Sequence, residues 1–199
     1  MRPLPRLLAI TDDRIVAAED FPIKTAAIAS AGPLVGIVVR APSALAADQL
    51  KLLCRVRALV RPPEAAFLAH GDPALGTATE AHGLELPASG PSPAGARLVF
   101  RTGRIGVSVR SMAEAKIAAN GGADFLVAGP VFSATGFGLE ALRHIVQLGI
   151  PVFAIGGIGV EQIGPVRQAG AWGVAAVSAL WHAADPARAA DQFARELAP

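Results

Sequence analysis

Glycine and serine residues come at the ends of the last two short apolar segments of the chain, and their types suit the binding of a phosphate group. Gly156 and Gly157 end the first of these segments, and Val177 and Ser178 end the second. Glycine lets the backbone approach an anion closely, and exposed N–H groups and the serine hydroxyl can donate hydrogen bonds to it. We interpret the four residues as a phosphate site. The alternative is that the glycines only turn the chain into the next helix.

A histidine and an arginine end two earlier apolar segments. An unperturbed histidine titrates near neutral pH, which makes His70 a candidate acid or base; the alternative is a hydrogen-bonded structural role. The guanidinium of Arg40 suits a phosphate or pyrophosphate; the alternative is an ion pair with Asp12 or Asp13. The spacing of the remaining histidines predicts no metal site.

Eight short apolar segments alternate with segments of helical periodicity, and this alternation must position the candidate residues. The predicted strands are 7–11, 34–40, 65–69, 83–86, 105–109, 124–128, 152–156 and 173–177. The predicted helices are 43–60 with Ser43 as N-cap, 111–120 with a capping box from Ser111 and Glu114, 139–148, 160–169, and 186–197 with Asp185 as N-cap. The segments 72–81 and 91–99 are rich in glycine and proline and are expected to be barely helical.

Near-continuous apolar strands that alternate with helices are typical of a parallel sheet covered on both faces. Eight such units predict a compact (β/α)8 TIM barrel, a single α/β domain over residues 1–199. An open doubly wound sheet is the alternative, and the strand count distinguishes the two. In a barrel the loops after the strands build the active site, so the candidate residues are expected to share one mouth.

Composition excludes several classes of function. The chain is 52% hydrophobic and 17% charged, its net charge is +2, and its arginines are spread evenly, so we expect no nucleic-acid surface. The longest uncharged apolar stretch, 169–184, is too short for a membrane span.

The first ten residues carry no long apolar run, and the single cysteine, Cys54, cannot form an internal disulfide; both predict a cytoplasmic protein. Cys54 lies in an apolar helical pattern and is expected to be buried and inert.

Taken together and in this order, the segments resemble the thiamine phosphate synthase/TenI family, from the opening LAITDD nearly to the end of the chain. The landmarks are IGVSV at 105–109, DFLVAGPVF at 124–132, GLE at 138–140, PVFAIGGI at 151–158 and GAWGVAAVS at 170–178. Each motif alone is common among TIM barrels, whereas all of them together in this order are specific to the family.

The resemblance implies a reaction and a set of site residues. Synthases of this family join a pyrimidine methyl pyrophosphate to a thiazole phosphate with Mg²⁺. Carried over position by position, the resemblance implies that Gly157, Val177 and Ser178 hold the thiazole phosphate beside Gly156, and that Arg40 and Ser108 lie near the pyrophosphate. Gly129 and Thr135 are also expected to bind the substrate. It also makes a homodimer plausible.

The chain departs from the synthase pattern where metal and pyrophosphate would bind. The Asn-Asp pair after strand three falls on His70-Gly71, the second metal-binding Asp falls near Gly90, and the loop 133–137 has no lysine. Without these residues, the negative charge that develops on departing pyrophosphate lacks the metal ion and the cationic side chains that would stabilise it. Gly71 and the run LPASG at 86–90 instead resemble the TenI branch, a thiazole tautomerase that needs a proton shuttle, although that branch's histidine is Pro130 here. We expect His70 to act as the shuttle in its place.

The sequence therefore favours a TenI-like protein that binds a thiazole phosphate and transfers a proton on it. It leaves open a divergent thiamine phosphate synthase and a non-catalytic binder of thiazole or thiamine phosphate. No cofactor is expected, except Mg²⁺ if synthase activity is retained. The expected partner is a small phosphate substrate, without nucleic acid or membrane.

Overall fold

The computed structural model describes residues 3–60 and 65–198, which form strands and helices in alternation. The strands are β1 Leu7–Ile10, β2 Val35–Val39, β3 Ala66–His70, β4 Gly83–Leu86, β5 Arg104–Val109, β6 Phe125–Ala128, β7 Val152–Ile155 and β8 Gly173–Ala176. The helices are α1 Asp13–Ala17, α2 Phe21–Ala29, α3 Ala46–Leu59, α4 Pro73–Ala78, α5 Pro93–Val99, α6 Met112–Asn120, α7 Gly138–Val146, α8 Val160–Gln168, α9 Ser178–Trp181 and α10 Pro186–Leu197. Every predicted strand is present within one residue of its expected bounds.

The eight strands close into a parallel barrel in the order in which they occur along the chain. Closure is visible at β1, where Leu7 pairs with Val35 of β2 on one side and with Val174 of β8 on the other. The predicted TIM barrel is confirmed, and the alternative of an open sheet is wrong. All strands therefore end at the same mouth, where the loops after them meet.

The inside of the barrel is filled by large apolar side chains that occupy the space left by glycines on neighbouring strands. Phe125 and Phe153 meet edge to face, with ring centroids 5.6 Å apart. A Cβ atom at Gly106 would lie 2.0 Å from the Phe125 ring, and one at Gly36 would lie 3.0 Å from Leu68. Because these side chains fill the interior, the barrel is a packed core and not a pore.

A second apolar layer lies between the strands and the surrounding helices. In this layer Phe21 of α2 contacts Trp181 of α9, and Phe193 and Leu197 of α10 are buried. Burial of each such side chain stabilises the fold by roughly 1.5–3 kcal/mol. None of the helices formed by residues 3–60 and 65–198 has the length and apolar character needed to cross a bilayer.

Two of the predicted helix starts are confirmed in detail. The Asp185 side chain accepts a hydrogen bond from the backbone N–H of Arg188, at 3.0 Å, and so caps α10. Ser111 caps α6 by accepting from the N–H of Glu114, at 3.2 Å. The Glu114 carboxylate reaches one residue further back than a standard capping box and accepts from the N–H of Arg110.

Other predictions about the helices are wrong. The third helix begins at Ala46, because Ser43 does not cap it and instead donates its hydroxyl to Asp13, at 3.0 Å. Cys54 is exposed, since α3 turns Leu53 and Val56 toward the core and leaves Cys54 on the opposite face.

Several helical segments are more regular than their sequences suggest. Both weak segments contain helices, α4 and α5, which are capped by the side chains of Asp72 and Ser92. The helices α1, α2 and α9 were not expected; α1 begins at a cap formed by Asp12.

The contact between Gly106 and Phe125 makes a stability prediction. Gly106→Ala is expected to lower the free energy of unfolding by about 1–3 kcal/mol or more, because the added methyl group would overlap the Phe125 ring. Gly164→Ala on α8 is the matched control, since nothing lies within 4 Å of a Cβ there and alanine is the better helix former. Urea unfolding midpoints of both variants check this. Equal midpoints would contradict the packing described.

Candidate functional site

The loops after β7 and β8 line a cavity of about 410 Å³, here called the cradle, formed by residues 155–159 and 175–179. In the described part of the chain, the backbone N–H groups of Gly157, Ile158, Ser178 and Ala179 donate to no other protein group. The hydroxyl of Ser178 is also available as a donor. Several unused donors around one cavity suit an anion, and the geometry is compatible with the predicted phosphate site.

The shape of the cradle depends on two consecutive glycines in the left-handed region, with φ of +96° at Gly156 and +70° at Gly157. A Cβ atom at Gly156 would lie 2.6 Å from the Cβ of Pro130, and one at Gly157 would lie 3.0 Å from that of Phe132. The N–H of Phe132 also donates to the Gly156 carbonyl, at 2.9 Å. The loop after β6 therefore packs directly on the cradle, and only glycine fits at both positions.

A central cavity of about 410 Å³ occupies the barrel mouth. Its polar wall consists of Thr11, Asp12, Arg40, His70, Glu85, Ser108 and Arg110. Gly129, Gly156 and Val177 also line it, so it adjoins the cradle. A flanking cavity of about 490 Å³ shares Arg40, His70, Ser108 and Arg110 and extends toward Ser89 and Glu114.

His70, Glu85 and Ser108 form a hydrogen-bonded group on three neighbouring strands. His70 on β3 pairs in register with Glu85 on β4, and its Nε2 lies 3.1 Å from Glu85 Oε2. The Ser108 hydroxyl on β5 donates to Glu85 Oε1. The Glu85 side chain is only 2% exposed and that of His70 15% exposed, so His70 is the member of the pair closer to the open mouth.

The surroundings shift the protonation of both groups. Burial raises the pKa of Glu85 to about 7, although the hydrogen bond from Ser108 and the charge of Arg40 both favour the carboxylate. Burial and the charge of Arg40 lower the pKa of His70 to about 4. Near neutral pH, His70 is therefore neutral, whereas Glu85 is close to its midpoint of titration.

Arg40 follows β2 and faces both the central and the flanking cavities. Its backbone is fixed by Thr11, whose hydroxyl donates to the Arg40 carbonyl at 2.9 Å and accepts from the Arg40 N–H at 2.8 Å. Its guanidinium forms no ion pair with any described residue, and the carboxylates of Asp12 and Asp13 bind Ile15 and Ser43 instead. The alternative of a rim ion pair is therefore not found, and Arg40 is placed to meet an anion.

The structure brings most of the predicted site residues to one mouth. Arg40, His70, Ser108 and Gly129 line the central cavity, and Ser178 lines the adjoining cradle. Gly156 and Val177 belong to the walls of both cavities, and Gly157 belongs to the cradle. Thr135 is exposed in the loop after β6 and lines none of the three cavities. Its role as a substrate contact stays a prediction without support from its position.

Two residues of the mouth were missed. Glu85 lies inside the apolar strand GLEL, one residue before the strand end at which a barrel's functional residues are expected. A single carboxylate in such a strand was the available signal, because charged residues are almost never fully buried without a partner. Arg110 directly follows β5, as Arg40 directly follows β2, and this position was the available signal.

The side chains in the mouth do not fit a Mg²⁺ ion. Magnesium takes six oxygen ligands in octahedral geometry and is usually held by one or two carboxylates. Asp12 caps α1, Glu85 is enclosed by Ser108 and His70, and no cluster of three His, Cys, Asp or Glu side chains suited to a metal occurs among the described residues.

Comparisons with known proteins connect this chain to one family. The family model described as thiamine monophosphate synthase matches residues 7–180. The thiamine-phosphate synthase of Methanospirillum hungatei is 34% identical over 198 residues, which cover 94% of this chain and 95% of that protein. The thiamine-phosphate synthase of Caldivirga maquilingensis is 41% identical over 98 residues, but the match covers only 46% of this chain and 48% of that protein. The structure of thiamine phosphate pyrophosphorylase from Pyrococcus furiosus superimposes with a TM-score of 0.84 at 31% identity, covering 96% of this chain and 95% of that one.

Proposed function

Because this chain belongs to the thiamine monophosphate synthase family, we propose that it acts in thiamine biosynthesis by moving a proton on a thiazole phosphate, as a tautomerase that needs no metal ion. The proposal joins two features of the mouth. The cradle supplies donors for the phosphate, and the buried acid–base pair supplies the proton chemistry.

One observation carries the proposal: His70 and Glu85 lie in the wall of the same cavity as Gly156 and Val177. A ligand whose phosphate rests in the cradle then extends its ring into the central cavity, beside the acid–base pair. A proton donor and acceptor held next to a bound ring gain a large advantage over the same groups free in water.

Tautomerisation suits the residues that are present. It removes one proton from a ring carbon and adds one at another ring atom, so it consumes no co-reactant and needs only a group that can take and return a proton. The uncharged amides of the cradle hold the phosphate away from the reacting atoms, and the large side chains inside the barrel close the site from below.

The second candidate is the synthase reaction, which the names of the relatives favour over tautomerisation. In this chain its support is the pair Arg40 and Arg110, because a departing pyrophosphate develops negative charge that cations stabilise. The two metal-binding carboxylates of the synthase pattern fall on Gly71 and near Gly90. We therefore rank it second.

The test uses the wild-type chain and thiazole phosphate in D₂O. We expect the ligand to raise the unfolding temperature without Mg²⁺ and its acidic ring C–H to exchange with deuterium, as seen by NMR. Formation of thiamine phosphate after addition of pyrimidine methyl pyrophosphate and Mg²⁺ would establish the synthase instead. Stabilisation without exchange would indicate a non-catalytic binder, and no stabilisation would refute this class of ligand.

A further inference from the structure

Glu85 is a carboxyl group enclosed in the mouth of the barrel, and its two oxygens have different partners. Oε1 accepts from the Ser108 hydroxyl, and Oε2 faces His70 Nε2 at 3.1 Å. A contact of this length between the oxygen and the nitrogen requires one hydrogen between them, carried either by the acid or by the imidazole. The geometry therefore places a single shared proton between Glu85 and His70.

His70 cannot store an additional proton by itself. Burial and the charge of Arg40 both disfavour the imidazolium, which is why the pKa of His70 is lowered to about 4. Its other nitrogen, Nδ1, has no hydrogen-bond partner within the described residues, and its ring lines the central cavity. A neutral imidazole can nevertheless pass a proton on, if it gains one at Nδ1 as it loses one at Nε2.

We propose that Glu85 and His70 form a two-residue proton relay, in which Glu85 takes up and returns the proton that His70 exchanges with the ligand. The inference rests on the proposed function. In the first step a ring C–H proton moves to His70 Nδ1, the Nε2 proton moves to the Glu85 carboxylate, and the C–H electron pair stays on the ligand. In the second step His70 Nδ1 returns a proton to another ring atom, and Glu85 returns its proton to Nε2. No imidazolium forms at any point.

The charged and titratable groups around Glu85 balance its two protonation states. These groups are His70 on β3, Arg40 after β2, and Asp12 and Arg110 elsewhere in the wall of the central cavity; Ser108 on β5 adds a neutral donor. Burial favours the acid, whereas the Ser108 hydrogen bond and the Arg40 charge favour the carboxylate. Because these effects oppose one another, the pKa of Glu85 lies at about 7, close to the pH at which a relay must both accept and release a proton.

The first test is the pH profile of deuterium exchange into thiazole phosphate. Because removal of the ring proton needs the Glu85 carboxylate, the wild-type rate is expected to rise through about pH 7. Glu85→Gln fills the same space but cannot take up a proton. It should lower the rate about 10²-fold or more, leave the Kd of the ligand within about threefold, and abolish this limb of the profile. Ser108→Ala should move the limb to higher pH, because it removes a hydrogen bond to the carboxylate.

The second test needs no ligand, because the same protons affect folding. His70 is expected to make the protein more stable as pH rises from about 4 to 6.5, and Glu85 to make it less stable as pH rises from about 4.5 to 7. The two effects cancel over most of this range in the wild type. In Glu85→Gln only His70 still titrates, so the folding equilibrium constant of this variant should increase roughly 10²-fold as the pH rises from 4 to 6.5. In His70→Asn only Glu85 still titrates, so the constant of that variant should decrease by a similar factor as the pH rises from 4.5 to 7.

The two tests separate failure of the relay from failure of the proposed function. The relay is wrong, even if tautomerisation is confirmed, if two results coincide. These are that the stability of the wild type and of Glu85→Gln changes with pH in the same way, and that both exchange deuterium at a rate that rises through the same pH. If the stability curves diverge as expected but the wild type exchanges no deuterium into thiazole phosphate, the proton pair stands and the proposed ligand is wrong.

Discussion

His70→Ala is expected to lower the rate of deuterium exchange into thiazole phosphate about 10²–10⁴-fold, while the Kd of the ligand stays within about threefold. His70 lines the central cavity, so its removal takes away the group that meets the ring. The cradle is built by the loops after β7 and β8 and keeps its donors. The measurement is exchange followed by NMR together with calorimetric titration of the ligand.

The control for this variant is His144→Ala, the same substitution on the exposed face of α7. It should leave both the exchange rate and the Kd unchanged. If His70→Ala retained the wild-type rate, His70 would be a structural residue and the proton would have to be moved by another group in the mouth.

Gly157→Ala is expected to weaken the binding of thiazole phosphate roughly 10²-fold. Alanine is strained at φ +70°, and its methyl group would press on Phe132, so the backbone must move and the amides of the cradle lose their alignment. Calorimetric titration gives the Kd, and urea unfolding gives the stability of the same sample.

Gly149→Ala is the matched control for this substitution. Gly149 has a similar φ of +78°, but nothing lies within 4 Å of its Cβ and it lines none of the three cavities of the mouth. It should carry the same backbone strain and bind the ligand with the wild-type Kd. Equal Kd values for the two variants would contradict a role of the cradle in phosphate binding.

The architecture could be predicted from the sequence because most strands of this barrel are apolar on both faces. Segments such as β2 and β6 have only buried residues, so they stand out as short continuous apolar runs. The cradle could be predicted because glycines follow β7 at the place where a barrel builds its site. Both are local patterns, and the closed barrel follows from repeating them.

The acid–base pair could not be predicted because it depends on register. Glu85 meets His70 and Ser108 only because β3, β4 and β5 align those positions at the mouth, and no local pattern gives that alignment. The start of α3 was missed for a similar reason, since Ser43 is used by Asp13, a residue 30 positions away in the chain. Contacts between distant segments decided both cases.

Phosphate binding by the cradle is tested most directly by a crystal structure of the wild-type chain with thiazole phosphate, grown without Mg²⁺. We expect phosphate oxygens within hydrogen-bond distance of the amides of Gly157 and Ser178, with the thiazole ring beside His70. A phosphate bound instead between Arg40 and Arg110, with the cradle empty, would contradict it.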